Sequence, residues 1–325
     1  MKNKIAVVGA TGLVGKEMCQ ILSEQGIRSG DFLKVSRSMQ DRRDNGCVPV
    51  ETALKLRPEY VFLATGDDVS RELVPQFREA GSTIIDKSDA FRMNEDIPLI
   101  VPEINGYVMD GLETIISTPN CTTTQLVMVL GPIHSIFRIK RVVVSTYQSV
   151  SGSGKDALLQ LNKERFGEKT EPFYPHAIDN NLIPACDSFL TDGYTKEEQK
   201  IVQESGKILM DRSIRISATA VRVPISRSHG MSVNIEFYDD FDLLNIKNAL
   251  NSNSGIRILD EPEKGIYPMP INASGGDKVL VGRIRRDHSC DFGLNLWIVA
   301  DNLRKGAALN AYQIMKTLEL KRGNR

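Results

Sequence analysis

Among the five cysteines of the chain, Cys121 stands in a setting that could make it a nucleophile. It lies in the segment STPNCTTT, between a predicted strand and an apolar helical run that includes Leu126 and Leu130. A thiolate in the first turn of a helix faces the positive end of the helix dipole, which lowers the pKa of a thiol. Most cysteines, however, are inert small hydrophobic residues. Position alone leaves catalysis and packing equally open, so the choice depends on the partners of this cysteine.

Two candidate partners lie in the segment RVPISRSH. His229, one of four histidines, follows the exit of a predicted strand. Histidine titrates near neutral pH, so it could take a thiol proton and later return it to an oxygen of an intermediate. A lone loop histidine is more often a surface residue. Arg222 lies inside an apolar strand, where a buried guanidinium needs an anion such as a substrate carboxylate, and an internal salt bridge is the alternative.

The elements that must position this chemistry begin with a glycine-rich turn. Gly9, Gly12 and Gly15 follow the apolar run IAVVG and precede a predicted helix. Small residues there let backbone N–H groups at the helix N-terminus approach a pyrophosphate. A tight turn without a ligand is the alternative, but the position at the first strand favours a dinucleotide site.

The end of the second predicted strand indicates which dinucleotide. It reads Ser36-Arg37-Ser38, with no acid before Asp41. An acid at this point usually holds the ribose of NAD, whereas arginine and hydroxyl groups suit the 2′-phosphate of NADP. We therefore expect NADP, with a solvated loop charge as the alternative role of Arg37.

The alternation of apolar runs and helical periods predicts an α/β protein. Over the first 120 residues it indicates a Rossmann-type parallel sheet covered by helices. After Cys121, longer amphipathic runs indicate the mixed sheet of an α+β domain. The length of 325 residues suits two cores. We expect an NADP-binding domain at 1–120, with a C-terminal helix at 301–325 packing back on it, and a catalytic and dimerisation domain at 121–300.

Composition excludes several other classes. Lys plus Arg and Asp plus Glu each number 41, so no chain-wide field favours nucleic acid or an anionic membrane. No apolar stretch approaches the roughly 18 residues of a membrane span, and the apolar start is too short for a signal peptide. Scattered cysteines without CxxC spacing argue against a disulfide framework and a zinc site. We expect a cytoplasmic protein without a metal.

Nine segments, in order over nearly the whole chain, resemble the aspartate-β-semialdehyde dehydrogenases of the shorter bacterial branch. They are GATGLVG, SDAFRM, VPEIN, TPNCT, STYQSVSGSG, NLIPACDSF, GYTKEEQK, VRVPISRSH and ADNLRKGAA. The resemblance implies the two-domain architecture of glyceraldehyde-3-phosphate dehydrogenase and a homodimer. It also implies NADPH-dependent reduction of L-aspartyl-4-phosphate to L-aspartate-4-semialdehyde through a Cys121 thioester, a step that supplies lysine, threonine, methionine and diaminopimelate synthesis.

The same resemblance implies a role for individual residues. Cys121 would be the nucleophile, His229 the acid/base, and Gln148 would hold the geometry of the intermediate. Arg222 would bind the substrate carboxylate and Glu197 its amino group. The phosphate pocket would consist of Arg92, Asn120 and Lys200. The NADP contacts of the family fall on Gly9, Thr11, Gly12, Leu13, Val14, Arg37, Ser38, Ser151, Gly152 and Asn302.

Other functions stay open at this point. One is a related acyl-phosphate reductase, such as N-acetylglutamyl-phosphate reductase, or an acyl-CoA reductase, against which Glu197 and the short TPNCT motif argue. A non-catalytic paralogue is a second alternative, and a hydride-transfer enzyme without covalent chemistry is a third. Retention of Cys121 together with Gln148, Arg222 and His229 argues against both of these.

Overall fold

The computed structural model describes residues 4–323, which form two compact units. The first unit runs to Asn120 and resumes at Ala307, and the second spans Cys121–Gly306. Within the described residues, no helix combines the length and the apolar character that crossing a membrane requires.

The first unit is built on a five-stranded parallel sheet in the order β2-β1-β3-β4-β5. Its strands are β1 (Ile5–Val8), β2 (Phe32–Val35), β3 (Tyr60–Leu63), β4 (Thr83–Asp86) and β5 (Ile115–Ser117). The helices are α1 (Leu13–Glu24), α2 (Met39–Asn45), α3 (Val50–Leu56), α4 (Asp67–Glu79), α5 (Pro102–Asn105), a 3-10 turn (Gly106–Val108) and the C-terminal helix (Leu309–Gly323).

Both faces of this sheet are covered, which explains why its strands are continuous apolar runs. Successive side chains of a strand point to opposite faces. Accordingly, Ile5 and Val7 of β1 pack with α1 and the C-terminal helix, whereas Ala6 and Val8 pack with α3 and α4. The sequence predicts a last helix from residue 301, but the α-helix starts at Leu309, after a π-helical turn at Arg304–Ala308.

The second unit contains a six-stranded mixed sheet in the order β7-β6-β8-β11-β10-β9. Its strands are β6 (Ile139–Gln148), β7 (Arg215–Arg222), β8 (His229–Phe237), β9 (Ile256–Ile258), β10 (Val279–Asp287) and β11 (Gly293–Ala300). The helices are α6 (Cys121–His134), α7 (Lys155–Arg165), α8 (Lys196–Ile208), α9 (Leu243–Ser252) and α10 (Pro270–Ala273), with 3-10 turns at Val150–Ser153 and Pro262–Lys264. The predicted fold class, a parallel sheet followed by a mixed sheet, is confirmed.

Strand register gathers the polar residues of the second unit at one end of its sheet. Gln148, the last residue of β6, pairs with Arg222, the last residue of the parallel strand β7. The antiparallel strand β8 begins at this same end, because Tyr147 pairs with Gly230. His229 in turn pairs with Ala300, the last residue of β11. These paired residues are 71 to 83 positions apart in the chain, and they share one end of the sheet.

Candidate active site

Cys121 opens α6, so its side chain lies in the first turn of a 14-residue helix. The Sγ atom lies 3.4 Å from Nε2 of His229. The backbone at Gly306 also lies close to Cys121, since a Cβ atom there would be 3.0 Å from Cβ of Cys121. The sulfur is half-buried, and the imidazole beside it is fully buried. The fold thus brings together the thiol and the imidazole that the sequence predicts as a nucleophile and its acid/base partner.

His229 is held at its other nitrogen by the segment that follows β6. The backbone N–H of Ser149 donates to Nδ1 across 2.9 Å, and Ser149 Oγ lies 3.0 Å from the same nitrogen. Burial, and then the positive charge of Arg222, lower the pKa of His229 from 6.5 to about 3. The ring is therefore neutral at ordinary pH.

Arg222 is buried without a carboxylate partner. Its Nη1 donates to the carbonyl oxygen of Ser149 across 2.8 Å, whereas its Nε has no hydrogen-bond acceptor. Among residues 4–323, no Asp or Glu forms an ion pair with this guanidinium, so the internal salt bridge considered from the sequence is wrong. An unsatisfied buried donor is costly, so the bare Nε indicates a place for an acceptor that a ligand or water would supply.

Glu197 and Gln148 form a second polar group in the same unit. Gln148 Nε2 donates to Glu197 Oε1 across 3.1 Å, and the hydroxyl of Thr122 donates to that oxygen across 3.4 Å. Lys200 Nζ lies 3.8 Å from Glu197 Oε2 and 2.8 Å from Asp187 Oδ2. Glu197 and Lys200 share a face of α8, whose N-terminus is closed by the capping box of Thr195 and Glu198.

Asn302 connects the predicted cofactor contacts of this unit to the histidine. Its Oδ1 accepts from Ser149 Oγ and Ser151 Oγ, each at 3.2 Å, and from the backbone N–H of Ser228 at 2.9 Å. Gly152 lies beside this group, because a Cβ there would be 2.9 Å from Arg222 Nη1 and 3.3 Å from the ring Nε2. Sequence reasoning missed Ser149 and Ser228, which are both fully buried. The one signal in the sequence for these two serines is that they belong to the segments STYQSVSGSG and VRVPISRSH.

The glycine turn of the first unit fits a dinucleotide pyrophosphate. Gly9 has a φ of 78°, and a Cβ there would lie 2.5 Å from the carbonyl oxygen of Ala64. Gly12 is the N-cap of α1 and provides no side chain to its first turn, which begins with Leu13 and Val14 and contains no acid. A helix N-terminus whose N–H groups lack a capping side chain suits an anion.

The predicted contacts for the 2′-phosphate lie at the end of β2. Arg37 is exposed, with Nη1 3.0 Å from Glu72 Oε2, and the hydroxyl of Ser38 caps α2. Asp41, which follows in α2, folds back so that its Oδ2 accepts from Ser36 Oγ at 2.8 Å and Thr11 Oγ1 at 2.9 Å. A carboxylate therefore lies between the glycine turn and the end of β2, which the spacing of the sequence did not indicate.

Arg92 and Asn120 belong to the first unit. Arg92 is buried, and its guanidinium donates to the carbonyl oxygens of Thr118 at 2.9 Å and Lys87 at 2.6 Å. Its Nη1 also lies 2.6 Å from Asp89 Oδ1. Asn120 is buried two residues beyond Thr118. The first unit thus groups the glycine turn with Thr11, Arg37 and Ser38, whereas the second brings together Cys121, Gln148, Ser151, Gly152, Glu197, Lys200, Arg222, His229 and Asn302.

Two family models match this chain, which combines a fold typical of dinucleotide-binding proteins with a cysteine-histidine site. Residues 4–111 match the model described as semialdehyde dehydrogenase, NAD binding domain. Residues 130–305 match the model described as semialdehyde dehydrogenase, dimerisation domain. The class is therefore that of the semialdehyde dehydrogenases, which are oxidoreductases with a nicotinamide-dinucleotide-binding domain.

Individual relatives indicate one family within this class. The aspartate-semialdehyde dehydrogenase of Aquifex aeolicus is 38% identical over 98% of both chains. That of Bacillus subtilis is 38% identical over 97% of both. A solved structure of aspartate semialdehyde dehydrogenase II complexed with ASA from Vibrio cholerae is 36% identical, with a TM-score of 0.90 over 98% of this chain and 99% of that one. This chain belongs to the aspartate-semialdehyde dehydrogenase family, and the resemblance of the nine segments is confirmed.

Proposed function

We propose that this enzyme reduces L-aspartyl-4-phosphate to L-aspartate-4-semialdehyde with NADPH through a thioester on Cys121. The observation that carries the proposal is the contact of Sγ with His229 Nε2 at the start of α6, next to the segment that binds Arg222. Splitting the reaction at a covalent intermediate replaces one difficult displacement with two easier steps. In the first step the sulfur forms a bond to the acyl carbon while the bond to phosphate breaks.

Residues of the second unit would bind the substrate and provide acid/base chemistry. The partnerless Nε of buried Arg222 supports this arginine as the ligand of the substrate carboxylate. Glu197, which already accepts from Gln148, would accept from the substrate amino group. Gln148 would maintain the geometry of the intermediate, and His229 would be the acid/base beside the sulfur. Phosphate would be held by Arg92, Asn120 and Lys200.

NADP would be held by the contacts predicted from the family resemblance. The uncapped start of α1 supports the glycine turn as the pyrophosphate site. Arg37 and Ser38 would hold the 2′-phosphate. When bound, the cofactor supplies the hydride of the reduction. The remaining contacts would be made by Gly9, Thr11, Gly12, Leu13, Val14, Ser151, Gly152 and Asn302.

The wider setting is proposed on the same grounds. The first unit would be the NADP-binding domain, with the C-terminal helix as part of it, and the second the catalytic and dimerisation domain. A family model described as a dimerisation domain supports a homodimer. The enzyme would work in the cytoplasm in the synthesis of lysine, threonine, methionine and diaminopimelate.

A phosphate-dependent assay tests the proposal. The purified chain is given aspartate semialdehyde, NADP and inorganic phosphate, and formation of NADPH is followed by absorbance. We expect NADPH only when all three are present. N-acetylglutamate semialdehyde and an acyl-CoA serve as competing substrates. Activity without phosphate, or preference for either competitor, would remove the assignment to aspartyl phosphate.

A further inference from the structure

Asp301 is a fully buried residue directly after β11, and its carboxylate accepts four hydrogen bonds from three segments of the second unit. Its Oδ2 accepts from Nε of Arg227 and from the backbone N–H of Gly275, each at 2.6 Å. Its Oδ1 accepts from the backbone N–H groups of Leu303 at 2.9 Å and Arg304 at 3.1 Å. A buried carboxylate needs a cation and hydrogen-bond donors, and Asp301 has both. It therefore ties the three segments together.

One of these segments leads into the catalytic histidine. Asp301 holds Arg227, and the next residue, Ser228, has a φ of 72°, which is uncommon for a residue other than glycine. The N–H of Ser228 donates to Oδ1 of Asn302, the neighbour of Asp301, at 2.9 Å. A left-handed residue persists only when its surroundings hold it in place. The bonds to residues 301 and 302 thus set the direction in which the chain enters β8 at His229.

The backbone of Ser228 also acts on the ring of His229. Burial, and then the charge of Arg222, lower the pKa of this ring to about 3, whereas a hydrogen bond with the backbone of Ser228 raises it. The Ser228 backbone therefore favours the protonated ring that an acid/base residue must form during the reaction. Displacement of this backbone would change both the place of the imidazole and its affinity for a proton.

Asp301 is connected to the surroundings of the nucleophile as well. Its main-chain oxygen accepts from the N–H of Gly306 at 3.0 Å, so the turn after β11 folds back on Asp301. A Cβ atom at Gly306 would lie 3.0 Å from Cβ of Cys121, which places this turn against the start of α6. The same helix is bonded to the residue before Asp301, because Gln125 Nε2 donates to the carbonyl oxygen of Ala300 at 3.3 Å. One buried residue thus supports both sides of the cysteine-histidine contact.

We propose that Asp301 is a positioning residue, which keeps the imidazole of His229 aligned with the sulfur of Cys121 by holding Arg227 and the turn at Gly306. The residue is fully buried and its carboxylate binds protein donors, so it acts through these segments and not on the substrate. Because Sγ and Nε2 are 3.4 Å apart, a small shift of either segment would misalign them. The inference rests on the proposed function, in which Cys121 is the nucleophile and His229 the acid/base.

Alkylation of the thiols by iodoacetamide, followed by mass spectrometry, tests this role without substrate or cofactor. Asp301→Asn keeps the size of the side chain but loses the charge and one acceptor oxygen. At about pH 7.5, alkylation of Cys121 should slow by about 10-fold or more, since an imidazole partner favours the reactive thiolate. Cys186 reports on unfolding in the same sample, because it is buried and burial raises the pKa of its thiol to about 12. It should stay unmodified.

A merely structural role of Asp301 predicts the opposite pattern. If the variant only loosens the fold, Cys121 should be alkylated as fast as in the wild type or faster, and Cys186 should become reactive. Either of these results would overturn the proposal. Because no turnover is measured, the outcome does not depend on the phosphate-dependent assay.

Asp260 provides a matched control in the same unit. Its side chain is 8% exposed, its Oδ1 accepts from the backbone N–H of Arg283 at 2.6 Å, and its Oδ2 lies 3.3 Å from Nζ of Lys247. Asp260→Asn should lower the Tm about as much as Asp301→Asn does, because it also removes a carboxylate that binds a cation and a backbone donor. Its rate of Cys121 alkylation should change by less than about 2-fold. Equal slowing in both variants would contradict a specific role of Asp301.

Arg227→Gln removes the same contact from its partly exposed partner, and it provides the test if Asp301→Asn does not fold. We expect it to slow alkylation of Cys121 by about 3-fold. The double variant should be no slower than Asp301→Asn alone, since the two changes break one interaction. An unchanged rate in Arg227→Gln, or losses that multiply in the double variant, would count against the proposal.

Steady-state kinetics separate positioning from substrate binding. In Asp301→Asn, kcat should fall about 10²-fold while the KM for aspartate semialdehyde changes by less than about 3-fold, because the proposed ligands Arg222 and Glu197 remain. A loss confined to KM would overturn the proposal. If the phosphate-dependent assay detects no activity in the wild type, the proposed function fails, whereas the alkylation rates still decide whether Asp301 aligns Cys121 with His229.

Discussion

The glycine turn of the first unit and the group of polar residues around His229 in the second unit differ in what they offer a ligand. At Gly12 the main chain itself would provide the proposed cofactor site, because a helix begins there without a capping side chain. Around His229 the site consists of buried side chains, and Ser149, Arg222 and Asn302 each hold another member of the group. The first site tolerates changes in exposed side chains, whereas the second depends on every polar partner. Substitutions should therefore have graded effects in the first unit and severe ones in the second.

The largest effect is expected for Cys121→Ala. Removing the nucleophile should lower kcat by about 10⁴-fold or more, because no thioester can form. Binding of NADP, measured by titration calorimetry, should change by less than about 3-fold. Cys290→Ala is the matched control, since Cys290 lies in the turn between β10 and β11 and should retain turnover. Similar losses in both variants would mean that the first cysteine is only structural.

Arg222→Ala should have the next largest effect. Loss of a buried charged ligand for the substrate carboxylate should lower kcat/KM by about 10²- to 10³-fold, mainly through KM. Arg222→Lys should recover little, because an ammonium lacks the planar fork of a guanidinium. Steady-state kinetics with aspartate semialdehyde measure both. An unchanged KM in both variants would exclude this arginine as the carboxylate ligand.

Arg37→Ala should have a smaller effect, since this side chain is exposed and its charge is screened by solvent. We expect NADP affinity to fall about 10-fold while NAD affinity changes less than about 2-fold. Asp41→Asn is the complementary change and should improve NADP binding, because it removes a negative charge near the end of β2. Equal losses of both dinucleotides in Arg37→Ala would place the 2′-phosphate elsewhere.

The smallest effect concerns stability and follows from the lowered pKa of His229. Between the unfolded pKa of 6.5 and the folded value of about 3, the unfolded chain binds more protons, so stability decreases as pH falls through this range. At pH 5.5 the cost should be about 1 kcal/mol relative to neutral pH. Urea unfolding at both pH values measures it. His229→Gln should lose less stability than the wild type on acidification, and an identical loss would contradict a buried neutral ring.

The sequence alone predicts the local structure of the chain. The apolar runs predicted the parallel and mixed sheets. A strand buried on both faces must be apolar throughout, whereas a strand buried on one face must alternate apolar and polar residues. The spacing from Gly9 to Gly15 predicted a turn that opens a helix. These signals depend on residues within a few positions of one another, and the backbone geometry they favour changes little with tertiary context.

Only the tertiary structure decided how the distant side chains meet. Ser149 reaches His229 across 80 positions and Asn302 across 153, so no local spacing indicates either contact. Whether Arg222 had a carboxylate partner also depended on which elements pack around it. Sequence by itself determined the elements and the types of reactive residue, because these follow from local backbone preference and hydrophobic periodicity. The partners and the charge state of these groups were decided by long-range packing, since burial and hydrogen bonding arise only when separate strands share one end of a sheet.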